Sequence, residues 1–545
     1  MSGTTDSSRD VGLPVTASRG VPGGRPPEPA PRSEAPRTPS PTAPSRAGRN
    51  LAWLAAAGII SSVLIMIAAS VIRNSWEIPR LILPATGPPW GFSPHVPLTV
   101  VTTALWAAAL AGGGGVIAGL AALRRGALLP VRLLLAVAVA AVAAFTVLPP
   151  AGSTDAIDYA VYGRIAVLHH SPYVMTPNQL RRTGDPVGRA APIIWGRHVT
   201  VYGPLATAEQ YVSAELGGAS AARIIFWLKL WNAIAFGAVA LALDRMLRSS
   251  PARRIRAHLL WTANPLLLWG LIATGHLDVV AAAAGLFGLL VLRQRAPDGD
   301  PVGSAAAKPT ALQGLAAGLL VGIAADIKIS FLLFAVGIVW ACRKSAAAWL
   351  SAAAGGAIVL VPTYLWSGPP AARALLDKSA KISVDSFYQI FVGSHGHTIP
   401  YQLAVAGLLC VAVAVLMLLR LPDGAPALPA VQPALAVTLA WLFIWPYQLP
   451  WYDSMAVGLI ALYPASRLDW LVLARLIAPT FALMPGNAGL PPQHLLALIT
   501  NDSLFWWAPV VLLAAAVALV WLGVTGAWKM DPPLLSRTAE VPQPA

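Results

Sequence analysis

Charge is what this chain has least of. Of 545 residues 11% are Asp, Glu, Lys or Arg and 56% are hydrophobic, too little polar surface to clothe a soluble protein of this length. With a mean hydropathy of +0.64 and repeated long apolar runs, the chain reads as one large helical body in a bilayer rather than several soluble domains. Cysteine is nearly absent. Cys342 and Cys410 are the only two, one near the cytoplasmic end of an expected span and one inside another. That excludes a disulfide framework on the outer face and gives no support to a catalytic thiol. Phosphate-cradling motifs are missing too: no GxGxxG or P-loop follows an expected strand, so use of a cytoplasmic nucleotide sugar and ATP-driven transport are both unsupported. Acids are fewer than bases, 23 against 38, for a net charge of +15. The bases sit in the N-terminal tail and in short loops beside apolar runs, which is the positive-inside pattern of a membrane protein and no argument for nucleic acid as a partner.

Residues 1–48 are rich in Pro, Ser, Thr, Gly and Arg; they cannot repay the entropy of ordering and read as a disordered cytoplasmic tail. The first apolar run starts too late and is too long for a cleaved signal peptide, so it is expected to stay as an anchor. A span needs about 20 apolar residues. Fourteen runs approach that: Leu51–Ile72, Val96–Leu123, Pro130–Leu148, Ala221–Leu247, Ala257–Thr274, Leu277–Leu292, Thr310–Ala325, Ile329–Ala341, Ala346–Trp366, Tyr401–Leu419, Val431–Tyr447, Trp451–Ala465, Asp469–Pro485 and Leu504–Trp528. Residues 257–292 and 310–341 are split because single helices would be ~54 and ~48 Å long, beyond a ~30 Å hydrocarbon core. Each also has polar residues near its middle, "GHLD" and "DIK". The expected organisation is a multi-spanning domain over 49–529, with a long outer loop at 149–220 and a second at 367–400, and a cytoplasmic C-terminal tail at 530–545. Lys and Arg then fall on one side, which places both termini in the cytoplasm of a plasma-membrane protein. The polar residues that look chemical fall on the other, outer side.

Those residues begin in "STDAIDYAVYGRIAVLHHSPY", residues 153–173. If it is helical, Asp155, Asp158, Tyr159 and Tyr162 share a face by i+3 and i+4 spacing. A carboxylate among apolar rings has a raised pKa and suits a general base. The same residues also fit an interfacial helix N-capped by Asp155, with tyrosines in the aromatic belt, and spacing alone leaves both open. His169 and His170 do not share a helix face and lack partners for a zinc set. Arg181, Arg182 and Arg197 suit a phosphate or a lipid headgroup. His276 and Asp278 occupy an outer turn between two spans, where ionisable residues are expensive and default to function. Asp326 and Lys328 either pair with each other or leave the lysine to hold a lipid phosphate. In "WPYQLPWYDS", Trp445, Tyr447, Trp451 and Tyr452 form either an aromatic belt or a sugar-stacking platform, with Gln448 and Asp453 taking hydroxyls. The second loop carries Asp385, His395 and His397 and is a candidate cover for the site, with no role fixed for these residues.

Taken in order, "DAIDYAVYG…SPY…P", "VYGPL", "NPLLL…GHLD", "IKIS" and "LPWY" resemble the actinobacterial polyprenol-phosphomannose-dependent mannosyltransferases, which include the α-(1→6)-mannosyltransferases of lipoglycan assembly. The resemblance covers about residues 150–460. It implies an all-α, polytopic GT-C-like fold that takes mannose from an outward-facing polyprenyl-phosphate carrier to a glycan or glycolipid acceptor, with inversion and without an expected cofactor. Asp155, Tyr159 and Gly163 match the family pattern in which an acid precedes a tyrosine by four and a glycine follows four later, which makes Asp155 the implied base. His276 and Asp278 match the family turn, where Leu277 stands in place of the usual Asn. Lys328 matches the lysine after the seventh helix, and Tyr202 lies in "VYGPL". Asp158, Tyr159, Tyr162, Tyr202, His276, Asp278, Lys328, Gln448, Trp451 and Tyr452 are thus the expected substrate-binding residues. A transporter or flippase of lipid-linked sugar would predict repeats and midplane acids in paired halves, which the sequence does not display. A non-catalytic envelope scaffold would also be polytopic, and a GT-C transferase for another sugar would share the same outer-face residues.

Overall fold

The structure is a computed structural model, and it describes residues 45–72, 81–92, 96–192, 195–294, 308–378, 381–392, 400–484, 491 and 493–530. Expected site positions His395 and His397, most of the N-terminal tail and all of the C-terminal tail after residue 530 lie outside these. Among the described residues the chain is mainly helical, and Ile72 and Phe92 form an isolated bridge. In order the α-helices are α1 (Arg46–Val71), α2 (Leu98–Arg124), α3 (Val131–Val147), α4 (Asp155–Val167), α5 (Pro177–Arg182), α6 (Pro204–Gly217) and α7 (Ala221–Leu247). They continue as α8 (Pro251–Ala257), α9 (Pro265–Leu267), α10 (Asp278–Val291), α11 (Ala311–Ile327), α12 (Phe334–Cys342), α13 (Ala346–Ser367), α14 (Pro369–Lys378) and α15 (Tyr388–Val392). The last six are α16 (Pro400–Arg420), α17 (Val431–Ile444), α18 (Ser454–Leu462), α19 (Leu468–Leu483), α20 (Leu495–Asp502) and α21 (Ala508–Thr525).

Six of the fourteen expected spans are long and apolar enough to cross a bilayer: α1, α2, α7, α13, residues Gln402–Arg420 of α16, and Leu495–Thr525 through α20 and α21. The other runs form α-helices of 17 residues or fewer. Both expected breaks occur. At "GHLD" the chain bends by 116° between Pro251–Ala273 and α10. At "DIK" α11 ends on Lys328 in an extended conformation (φ −148°, ψ 114°), and a 3-10 turn, Ile329–Leu333, leads into α12. The N-terminal boundary falls inside the expected tail, because Ser45 caps α1 by accepting from Gly48 N at 3.1 Å.

Small residues let the helices touch. Gly314, Gly318 and Gly322 repeat every four residues along α11, and a Cβ on Gly318 would lie 2.0 Å from Ala352 O of α13. This is the small-xxx-small contact of membrane helices. All nine residues of α18 are buried, as are most of α17, whereas α13 buries only Ala348, Ala352 and Gly355. The centre therefore lies around α10, α17 and α18. The 149–220 segment folds against it as α4, α5 and α6.

Candidate active site

The chain converges on a cavity of about 380 Å³. Helix α4 supplies one wall. Gly163 lets it press on α6, since a Cβ there would stand 2.2 Å from Gln210 O. Every residue from Ala156 to Gly163 is buried, so α4 is packed inside the protein and Tyr159 and Tyr162 are not exposed rings of an aromatic belt. Its N-cap is Thr154, and Asp155 is the first helical residue rather than the cap. Asp155 and Asp158 thus occupy the first turn, where the helix N-terminus favours negative charge, and both line the cavity.

A hydrogen-bonded row crosses the base of the cavity. Tyr159 Oη lies 2.8 Å from Tyr202 Oη and 3.2 Å from His276 Nδ1. His276 Nδ1 is in turn 3.8 Å from Asp155 Oδ2, close enough for electrostatic contact though too far for a hydrogen bond. Burial, above all, holds the Tyr159 and Tyr202 phenols far above their usual pKa, and the nearby Asp155 and Asp278 carboxylates add to it. Both tyrosines therefore stay protonated and have a proton to donate. The fully buried His276 ring stacks on Trp451, centroids 3.7 Å apart and planes 17° apart. Lys328 donates to buried Asp278, and its ammonium sits 3.4 Å from the Tyr452 ring centroid, within cation–π range. Tyr162 Oη donates to His198 O at 3.0 Å.

The cavity thus gathers Asp155, Asp158, Tyr159, Tyr162, Tyr202, Lys328, Trp451 and Tyr452 on its surface, with His276 and Asp278 directly behind. Two expectations differ, those for Gln448 and Asp453. Of the two alternatives open for Lys328, pairing with Asp326 does not occur. Asp326 instead accepts from Leu205 N at 2.6 Å and from the Thr363 hydroxyl. Gln448 is not on the cavity: its amide oxygen accepts from Arg475 Nη2 at 2.7 Å, and it lines a separate small cavity beside Asp385. Asp453 is buried and paired with the same arginine, so neither side chain is offered to a sugar there. Arg181, Arg182 and Arg197 do not line the cavity. Trp445 and Tyr447, candidates for the stacking platform, do line it, as do Trp195 and Trp441, which sequence reasoning missed; Trp441 lies inside apolar α17 and Trp195 in a turn of the first loop, where nothing in the sequence set them apart. Among the described residues no group of three or more His, Cys, Asp or Glu side chains is arranged to hold a metal ion.

Chemically, the arrangement offers carboxylates, a buried ammonium, protonated phenols and aromatic faces around one small space. That combination suits a sugar attached to an anionic leaving group. In comparison with solved structures, the crystal structure of ArnT from Cupriavidus metallidurans bound to undecaprenyl phosphate aligns with 73% of this chain and 78% of that one, at 15% identity and a TM-score of 0.35. No curated protein matches. The sequence matches the family model described as alpha-(1->6)-mannopyranosyltransferase, N-terminal domain, over residues 55–344. That stretch is more than half of the chain and contains Asp155, Tyr159, Tyr202, His276, Asp278 and Lys328. The chain belongs to the alpha-(1->6)-mannopyranosyltransferase family.

Proposed function

We propose that this glycosyltransferase moves mannose from a polyprenyl-phosphate carrier to a hydroxyl of a glycan or glycolipid at the outer face of the plasma membrane. One observation carries the reading: Asp155 and Lys328 line the same aromatic cavity in a chain of the mannopyranosyltransferase family. The outward orientation rests on the basic residues flanking the apolar runs on the opposite side.

Asp155 takes the proton of the acceptor hydroxyl as its oxygen bonds to the anomeric carbon. The bond from that carbon to the phosphate oxygen breaks in line, and the electron pair leaves with the prenyl phosphate. The Lys328 ammonium steadies the charge that grows there. A single displacement inverts the centre, so an α product calls for a β-linked donor. Trp451 and Tyr452 offer faces to the sugar, and the Tyr159 and Tyr202 hydroxyls offer hydrogen bonds. Ile329, Leu375 and Leu449 on the cavity wall give the prenyl chain an apolar way out.

The test is turnover of polyprenyl-phosphomannose by purified protein. Asp155→Asn should lose about 10²–10⁴-fold in rate, the contribution of a positioned base, while keeping wild-type thermal stability. Full activity of that variant would sink the assignment.

A further inference from the structure

Two polar side chains beneath the site take no part in that transfer chemistry. Lys229 lies eight residues into α7, about 12 Å along its axis, and Asn232 follows on the same face, three residues on. Both are buried. An ionisable residue within an apolar span is costly, and an apolar side chain of similar volume often does as well for stability alone. Lys229 is therefore a residue whose presence asks for a role.

Its partners are backbone carbonyls. Nζ donates to Leu148 O at 2.9 Å and to Pro149 O at 3.4 Å. Leu148 caps the C-terminus of α3, where carbonyls lack helical partners and a cation is favoured. Asn232 Nδ2 donates to Leu271 O at 3.3 Å and to His276 O at 3.0 Å. Leu271 lies in the wide π-turn Leu268–Ala273 that precedes the bend. A direct bond, Ala151 N to Ala273 O at 3.0 Å, joins the two backbone segments. Gly275, at φ +79°, completes the junction: a Cβ there would meet Ala156 Cβ at 3.1 Å and Lys229 Cγ at 3.3 Å, so the lysine stem is the floor under the turn.

One of these segments runs into Asp155 and the other carries His276. We infer that Lys229 and Asn232 are positioning residues for the transfer reaction, a clamp on α7 that fixes the two backbone segments whose Asp155 and His276 face each other at 3.8 Å. The inference rests on Asp155 as the base.

Transfer kinetics of the full chain in nanodiscs, with polyprenyl-phosphomannose and a short α-mannoside acceptor, test it. Lys229→Met should lower kcat about 100-fold, the scale of a 1 Å misplacement, with little change in donor KM. Lys229→Arg, which can refill the carbonyls, should recover part of the rate. In an Asp155→Asn background the Lys229→Met loss should vanish, because misplacing an absent base costs nothing. Wild-type kcat in Lys229→Met, or an undiminished loss in the Asp155→Asn background, would reduce Lys229 to structural support and overturn the inference. If Lys229→Met does not fold, Lys229→Arg and Asn232→Leu carry the same comparison: a kcat loss that depends on Asp155 supports the clamp, and one that does not overturns it. Full activity of Asp155→Asn alone overturns the base assignment itself, a result distinct from the others.

Discussion

Removing the Asp278 carboxylate, as in Asp278→Asn, separates what Lys328 does for the fold from what it does for the reaction. The two form a buried ion pair, with side chains 9% and 0% exposed. Taking one partner away leaves the other charge stranded at a cost of about 3–5 kcal/mol. Whole-domain stabilities are about 5–15 kcal/mol, so Asp278→Asn should lose a large part of the protein's resistance to heat. Adding Lys328→Met removes the stranded charge as well and should restore most of that loss, since uncharged replacements of a buried pair are often close to neutral. Activity should not return with it. The double variant lacks the ammonium proposed to meet the leaving phosphate, an electrostatic contribution worth about 10²–10³-fold in rate. Thermal inactivation followed by size-exclusion chromatography in detergent reads the stability; initial rates below the inactivation temperature read the chemistry. A single variant as stable as the wild type would refute the burial argument. A double variant with wild-type rates would refute the phosphate role of Lys328.

The breaks at "GHLD" and "DIK" were legible because length arithmetic forced them: the runs were too long for one bilayer crossing and had polar residues near their centres. The pattern of Asp155, Tyr159 and Gly163 was legible as a family spacing, and its physical sense is now visible in a helix pressed onto α6 at the glycine. Which helices lie at the centre was not legible. α13 and α18 are both apolar throughout, and facing lipid and facing protein call for the same side chains. The partner of Lys328 was open, because Asp326 is only two residues away in sequence and Asp278 is fifty. The helix ends at the lysine, which sends its side chain to Asp278, while Asp326 turns back to the start of α6. Gln448 was misread for want of Arg475. That arginine sits alone in an apolar run, where its cost in the membrane was the one available signal. The same signal, applied to Lys229, would have marked the floor of the site.

Two further outcomes are expected. Gly163→Ala puts a methyl 2.2 Å from Gln210 O, so α4 must move off α6. A shift near 1 Å at Asp155 should cost about 100-fold in rate, with about 1–3 kcal/mol of destabilisation from overpacking, and kinetics of the purified variant check it. The second concerns pH. Burial pushes the Asp385 carboxyl up to about 6, against a partial pull downward from Ser383 and Arg475. An unfolded aspartate titrates near 3.9, so between about pH 4 and pH 6 the folded chain holds a proton that the unfolded chain has released. Stability contributed by this group is therefore greatest at low pH and falls as pH rises to about 6, above which it is lost. The difference is about 2 pKa units, or ~3 kcal/mol. Asp385→Asn, which cannot ionise, should be more stable than the wild type at pH 7.5, by up to that amount, and lack the slope. Melting curves of the two proteins at pH 4.5 and 7.5 decide the matter. A variant that is equally stable at pH 7.5 would mean that Asp385 ionises without penalty and is not sealed from water beside Arg475.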